Sequence, residues 1–175
     1  MPLTPVTAED IRSVSDQLGR PARDIVAIAA RCVCGNAVVV QTAPRLADGT
    51  PFPTTYYLTL PAATAALSRL EASGLMADLQ SRLEVDQALA EGYRAAHESY
   101  LADRAELEKS TGTVDEIAGI SAGGMPTRVK CLHALAAHSL AAGPGVNPIG
   151  DMALELCTWK LDRCQCAVRP IETNE

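Results

Sequence analysis

Apolar and polar residues follow two different periods along this chain, and the changes between them mark the predicted elements. Residues 7–10 (Thr-Ala-Glu-Asp) have the capping pattern of a helix start, and Gly19 is typical of a helix end. Residues 24–31 and 36–42 are apolar stretches that read as buried strands joined by a tight hairpin. Residues 55–60 give a third strand, so the pattern predicts a small antiparallel sheet.

Helical spacing dominates the rest of the chain. Pro61 suits the first turn of a helix, and Asp86 suits the N-cap of a long one. The predicted helices span residues 7–18, 61–74, 75–83, 86–109, 127–142 and 151–162. We therefore expect one mostly helical α+β domain over residues 1–163, with a small antiparallel sheet of about three strands. Residues 164–175 are expected to form a loose C-terminal tail.

Composition narrows the classes of function. A length of 175 residues, 47% of them hydrophobic, suits one globular domain with its own core. A net charge of −6 argues against a nucleic-acid partner. No apolar stretch reaches the ~20 residues of a membrane helix, and the N-terminus does not look like a signal peptide. We expect a cytoplasmic protein whose six cysteines are reduced thiols, available for metal binding or catalysis.

Two short clusters of cysteine and histidine are the main candidates for chemistry. Cys32 and Cys34 flank one residue in the predicted hairpin, which can point both sulfurs at one ion. Cys131 and His133 can do the same at a helix start, whereas His138 lies ~10 Å from Cys131 along a regular helix and is a spare ligand. The first four residues predict a Cys3His site, which suits zinc. The alternative is that these side chains simply pack in the core.

Three cysteines near the C-terminus carry less weight. Cys164 and Cys166 form a second Cys-x-Cys pair, and Cys157 precedes them. Because the pair falls in the predicted tail, after the last packed helix, we expect these three thiols to be incidental.

A metal-free thiol enzyme is a second hypothesis. Cys131 is predicted to lie in the first turn of its helix beside Lys130, where the helix dipole and the cation both favour a thiolate. His133 or His97 would be the base, and the substrate would be anionic. A third hypothesis is a non-catalytic module that binds another protein.

Four polar residues on the long predicted helix share one stripe. Tyr93, His97, Tyr100 and Arg104 follow the spacing i, i+4, i+7, i+11, and leucines extend the same stripe. The stripe is therefore the buried face. These side chains form either a ligand pocket or a network of polar groups that bond one another.

A Gly-rich segment precedes the predicted helix at residue 127. Gly123 and Gly124 come before the helix start, and Arg128 and Lys130 fall in its first turn. Free N–H groups and two cations predict a seat for a small anionic ligand. The segment lacks the pattern of a nucleotide-binding P-loop, so a nucleotide is not implied. The alternative is a flexible connector with solvated charges.

Several of these motifs together resemble a known family. They are Arg31-Cys32, residues 48–54 (DGTPFPT), residues 128–133 (RVKCLH), Ala137-His138 and residues 147–150 (NPIG). Over about residues 8–155 the chain is similar to the bacterial domain of unknown function 501 family, and its Gly-rich segment resembles the actinobacterial branch.

The resemblance implies a bacterial cytoplasmic protein without an established activity. Genes of this family commonly lie near those of a septum-formation initiator and an exopolyphosphatase. The matching positions are Cys32, His97, Tyr100, Arg104, Cys131, His133 and His138. Many members carry Cys-Pro after the third strand, where this chain has Leu60-Pro61. A three-cysteine site would then lack one ligand unless Cys34 replaces it. This departure weighs against an iron–sulfur cluster and favours either zinc or a cysteine–histidine pair.

Overall fold

An antiparallel sheet of four strands organises the computed structural model, which describes residues 3–166. The strands are β1 (Thr4–Pro5), β2 (Ile25–Arg31), β3 (Ala37–Thr42) and β4 (Tyr56–Leu58), in the order β1-β2-β3-β4. The α+β class is confirmed, but the expected count of about three strands is wrong. The missed strand, β1, has two residues, one of them proline, and so leaves no alternating pattern to detect.

Six helices lie among the described residues. They are α1 (Ala8–Leu18), α2 (Pro61–Ala72), α3 (Leu75–Val85), α4 (Gln87–Thr111), α5 (Leu132–Ala142) and α6 (Pro148–Leu156), with a 3-10 turn at Asp115–Ile117. None of them is both long enough and apolar enough to span a bilayer.

The sheet is covered on both faces. α1 begins with the predicted capping box, in which the side chains of Thr7 and Asp10 each accept the backbone N–H of the other. Val14 of α1 packs against an apolar cluster on one face of the sheet, formed by Ile28, Ala37 and Val40. α5 packs against the opposite face of the sheet. Every residue of β3 is consequently buried.

α5 is the central helix of the fold. Leucines and alanines occur around its whole circumference, and only a few of its residues reach solvent. A helix that is apolar on all sides must be buried on all sides. It therefore contacts the sheet, α2 and α6 at once. Its N-terminus lies beside α2, which brings the second candidate cluster together.

α5 begins five residues later than the predicted helix. Residues 127–131 are not helical because their backbone groups have other partners. The N–H groups of Arg128 and Lys130 donate to the carbonyls of Gly124 and Gly123, at 2.9 and 2.8 Å. The N–H of Val129 donates to the side chain of Gln80 at 2.9 Å.

The segment after α6 packs back onto the protein. α6 starts at Pro148 and ends at Leu156, so the helix predicted over 151–162 is shifted. Beyond it, Cys157 and Trp159 are buried in the core, and Cys166 is half-buried against it. Of the expected tail, the structure describes Cys164 and Gln165, which are exposed, and Cys166; residues 167–175 lie outside the described residues.

Candidate functional site

Four cysteine thiols converge where the turn between β2 and β3 meets the chain after α6. The sulfur atoms of Cys32, Cys34, Cys164 and Cys166 all lie within 4.8 Å of one another. The Sγ atoms of Cys34 and Cys166 are 3.5 Å apart. Cys32 is buried, Cys166 is half-buried and the other two are exposed. We call this group the four-cysteine cluster.

The hairpin turn holds the first two thiols in place. Gly35 adopts a φ of 90°, which favours glycine, and its N–H donates to the carbonyl of Cys32 at 2.8 Å. Arg31 fixes the turn to α1 because its guanidinium donates to Asp10 at 2.6 Å and to the Gly35 carbonyl at 3.0 Å. The bond from Arg31 lowers the pKa of the Asp10 carboxyl to about 2, so the pair stays charged at neutral pH.

A backbone hydrogen bond and burial separate the pKa values of Cys34, Cys32 and Cys166. A hydrogen bond from the Asn36 backbone lowers the pKa of Cys34 to about 7, with help from neighbouring thiols. Burial raises the pKa of Cys166 to about 12 and also raises that of Cys32. Without a cation, burial therefore disfavours the thiolate at Cys32 and Cys166, and Cys34 loses its proton most readily of these three thiols. A bound divalent metal would remove this restriction, since it favours thiolate at each ligand.

The cluster divides the predicted Cys3His set. Cys32 and Cys34 lie together as expected, but their neighbours are Cys164 and Cys166 rather than Cys131 and His133. The two late cysteines were expected to be incidental because they follow the last helix. Trp159 packs in the core, and the chain that follows it places Cys164 and Cys166 at the hairpin. Their Cys-x-Cys spacing, identical to that of Cys32 and Cys34, was the signal in the sequence.

A second cluster forms at the N-terminus of α5. Ligand atoms of Glu71, Cys131 and His133 lie within 4.8 Å of one another. His133 Nδ1 is 3.1 Å from Glu71 Oε1 and 4.0 Å from Cys131 Sγ. Its other nitrogen, Nε2, is 3.1 Å from the Thr64 carbonyl and 3.2 Å from Ser68 Oγ. We call this group the Glu-Cys-His cluster.

One face of α2 supplies every partner of His133 outside its own helix. Thr64, Ser68 and Glu71 follow the spacing i, i+4, i+7 and so point toward the start of α5. Glu71 Oε1 also accepts the N–H of Leu132 at 2.7 Å, which places a negative charge at the positive end of α5. Sequence reasoning missed Glu71 because nothing along the chain links it to residues sixty positions later.

The Glu-Cys-His cluster is an ion pair when no metal is bound. The contact with Cys131 and the nearby Glu71 carboxylate raise the pKa of His133 to about 9, although burial opposes the shift. Burial alone would raise the pKa of Cys131, but His133 and the Ala134 N–H outweigh it and lower the pKa. These contacts favour the imidazolium form of His133 near neutral pH.

Cys131 and His97, which the thiol-enzyme hypothesis also uses, have surroundings that differ from those predicted. Cys131 is the N-cap of α5 rather than a first-turn residue, and Lys130 is exposed. The ring nitrogen Nδ1 of His97 contacts Ser121 Oγ at 2.8 Å, and His97 is not part of the Glu-Cys-His cluster.

Several backbone groups of the Gly-rich segment have partners within the chain. Gly123 and Gly124 adopt positive φ, and a Cβ on either would meet Leu135 or the Arg128 carbonyl within 2.6 Å. Close packing therefore explains both glycines. The N–H groups of Arg128 and Lys130 bond within the segment, and the carboxylate of Glu71 occupies the N-terminus of α5. The backbone N–H groups of Arg128, Lys130 and Leu132 thus have partners within the chain, and the anion seat stays a prediction.

The polar stripe of α4 is a network of satisfied groups. Tyr100 and Arg104 are buried. The Tyr100 hydroxyl accepts the N–H of Thr55 at 2.6 Å and donates to the Pro53 carbonyl at 3.2 Å. Arg104 donates to the Thr55 hydroxyl, the Pro53 carbonyl and the Ile120 carbonyl. The hydroxyl of Tyr93, at the other end of the stripe, donates to a backbone carbonyl at 3.0 Å. These contacts join loops to α4.

His138 lies in the core and belongs to neither cluster. It is fully buried, stacks on Tyr56 at 5.9 Å and contacts the edge of Tyr100 at 5.1 Å. Its Nδ1 accepts from the Asn147 amide at 3.2 Å, whereas Nε2 has no partner within residues 3–166. Burial lowers the pKa of His138 to about 4, so the ring is neutral at physiological pH.

Comparison with known proteins gives a family without a described activity. A family model described as "Protein of unknown function (DUF501)" matches residues 28–155. No curated protein and no solved structure matches the chain. The matched residues include Cys32, Cys34 and the whole Glu-Cys-His cluster, but they end before Cys164.

Proposed function

The chain belongs to the DUF501 family of proteins of unknown function. For this member we propose a metal-binding function in which the four-cysteine cluster holds one zinc ion. Cys32, Cys34, Cys164 and Cys166 would be the ligands. They replace the predicted Cys3His set as the site that the geometry supports best.

The mutual spacing of the four sulfurs carries this proposal. Zn–S bonds of ~2.3 Å in a tetrahedron place the sulfurs ~3.8 Å from one another. The four sulfur atoms lie within 4.8 Å of one another, and the contact between Cys34 and Cys166 is 3.5 Å. Two hairpin-like Cys-x-Cys pairs facing each other are also an ordinary way to build a four-thiolate site.

The same spacing favours a single ion over an iron–sulfur cluster. A polynuclear cluster distributes its cysteines over several iron atoms and holds their sulfurs further apart than one tetrahedral ion does. A tetrahedral set of four thiolates suits zinc, and mononuclear iron is the competing ion. Elemental analysis separates the two directly.

A zinc ion held in this way would be structural. Cys34, Cys164 and Cys166 line a surface cleft of about 680 Å³, but four thiolates leave no coordination position for a ligand in that cleft. The ion would instead join the hairpin after β2 to the segment after α6. Binding requires the thiols to be reduced, as expected for a cytoplasmic protein.

The test is the zinc content of the purified chain, measured with and without the cluster. Cys34→Ser and Cys166→Ser each remove one ligand from a different side of the cluster, and we expect either change to lower the zinc content by one ion per chain. Cys157→Ala is the matched control because Cys157 is buried outside both clusters and should leave the zinc content unchanged.

Two results would contradict the proposal. One is an unchanged zinc content in both serine variants. The other is a Cys34–Cys166 disulfide in protein prepared without added reductant, found by counting free thiols after unfolding and mapping the linked peptides. Such a bond would explain the close sulfurs without a metal.

A further inference from the structure

We propose that Glu71, Cys131 and His133 form a second, open site for a divalent transition metal, with Zn²⁺ as the ion of choice. This site is separate from the four-cysteine cluster, and it differs in kind because one coordination position would remain for water or a ligand. The proposal stands whether or not the four-cysteine cluster holds metal.

The spacing of the three donor atoms fits one ion. Tetrahedral bonds of ~2.3 Å to sulfur and ~2.0–2.1 Å to nitrogen and oxygen place S and N ~3.6 Å apart and N and O ~3.3 Å apart. The corresponding distances are 4.0 Å from Cys131 Sγ to His133 Nδ1 and 3.1 Å from His133 Nδ1 to Glu71 Oε1. Shifts of a few tenths of an ångström would satisfy these two distances, and the third pair, Cys131 Sγ and the Glu71 carboxylate, lies within 4.8 Å.

The orientation of the His133 ring distinguishes a metal site from a catalytic triad. In a triad, one ring nitrogen faces the nucleophile and the other faces the orienting carboxylate. Here the same nitrogen, Nδ1, faces both Cys131 and Glu71. Nε2 is held at 3.1 Å by the Thr64 carbonyl, which is the usual outer partner of a histidine that binds metal through its other nitrogen.

Charge and donor type also suit zinc. A thiolate and a carboxylate together balance the charge of one divalent cation, which offsets the unfavourable effect of the positive end of α5. One sulfur, one nitrogen and one oxygen form a borderline donor set that suits zinc better than calcium or magnesium. The side chains of His133 and Glu71 are 22% and 24% exposed, so the fourth position can be reached from solvent.

The experiment is a Zn²⁺ titration of the full-length chain against a competing chromophoric chelator. The double variant Cys34→Ser/Cys166→Ser removes the four-cysteine cluster, and we expect it still to bind one Zn²⁺ ion. Losing a hydrogen-bond partner of a metal ligand weakens metal binding ~10–100-fold. Adding Glu71→Gln or Cys131→Ser removes a ligand itself, so we expect a larger loss of Zn²⁺ affinity. Glu98→Gln, an exposed change on α4, is the matched control and should leave the affinity unchanged.

Glu71→Gln keeps an oxygen that can accept the Leu132 N–H, so the start of α5 should survive; far-ultraviolet circular dichroism checks this. A second readout is alkylation of Cys131, followed by peptide mapping. We expect Zn²⁺ to slow it in the double variant but to have no effect on it once Glu71→Gln is added. If the double variant binds no Zn²⁺, or if Zn²⁺ leaves the alkylation rate unchanged, the cluster is a metal-free thiolate–imidazolium pair and the proposal fails.

Discussion

At the scale of single residues, the buried aromatic surroundings of His138 determine its protonation state. Its ring packs against Tyr56 and Tyr100, and within residues 3–166 its hydrogen-bond partner is the amide of Asn147. An imidazolium at this position would lose its hydration without gaining a carboxylate in contact with it. The sequence showed a histidine seven residues after Cys131, but the ring's burial among tyrosines depends on how α5 meets β4.

The neutral state of His138 makes a pH-dependent contribution to stability. Its pKa is about 4 in the folded protein, against an ordinary value of 6.5. The unfolded chain therefore binds the proton first, so the stabilisation is complete above pH 6.5 and is lost as the pH falls toward 4. The difference of about 2.5 units corresponds to about 3 kcal/mol.

Urea unfolding measured between pH 7 and pH 4 in the presence of a chelator tests this prediction without interference from metal release. His138→Phe removes the titrating group but keeps an aromatic ring in place. We expect the variant to be less stable at pH 7, because Asn147 loses its partner, and to lose less stability on acidification than the wild type does. Parallel pH profiles for the two proteins would show that His138 does not account for the acid sensitivity.

Single residues also show where sequence reasoning reached its limit. Cys32, Cys34, Cys131 and His133 could be singled out because cysteine and histidine are rare in this chain. Glu71 could not, since it is one of 21 acidic residues. Its role depends on the contact between α2 and α5, and no local pattern encodes that contact.

At the scale of elements, Gly150 permits the close approach of α5 and α6. A Cβ on Gly150 would lie 2.3 Å from the Leu135 carbonyl oxygen and 2.9 Å from the Ser139 Cβ. The neighbouring atoms are backbone or first side-chain atoms of a buried helix, so they cannot move aside without moving the helix.

Gly150→Ala is therefore expected to destabilise the protein by at least ~2 kcal/mol, through overpacking of the helix contact. Gly92→Ala is the control because its Cβ would lie 3.3 Å from a Pro148 side-chain atom, and because alanine gains ~1 kcal/mol over glycine inside a helix. Chemical denaturation of both variants measures the difference. Equal stabilities for the two would show that α5 and α6 can separate at low cost.

Local patterns predicted the boundary of a helix well where residues at the boundary itself determine it. They predicted it poorly where residues distant in sequence determine it. The capping box at Thr7 and the proline at residue 61 placed the starts of α1 and α2 correctly. The start of α5 was misplaced because Gln80 and the carbonyls of two glycines hold the preceding backbone. α6 did carry a local signal, Asn147 followed by Pro148, which is a strong helix start.

At the scale of the whole molecule, two separate contacts hold the segment after α6. Cys157 and Trp159 are buried in the main core, whereas Cys164 and Cys166 meet the β2–β3 turn through their sulfurs. The first contact is apolar and needs no metal. The second brings together four thiols, which a bound cation would hold as thiolates.

These two contacts make different contributions, and truncation separates them. A chain that ends at residue 163 keeps Trp159 but loses Cys164 and Cys166, so we expect cooperative unfolding and one zinc ion fewer per chain. A chain that ends at residue 156 also loses the buried Trp159, at a cost of about 3–5 kcal/mol or more. Calorimetry with elemental analysis measures both. If the longer truncated chain unfolds as readily as the shorter one, the cysteines rather than Trp159 hold this segment in place. If it keeps its zinc, the cluster is not the site.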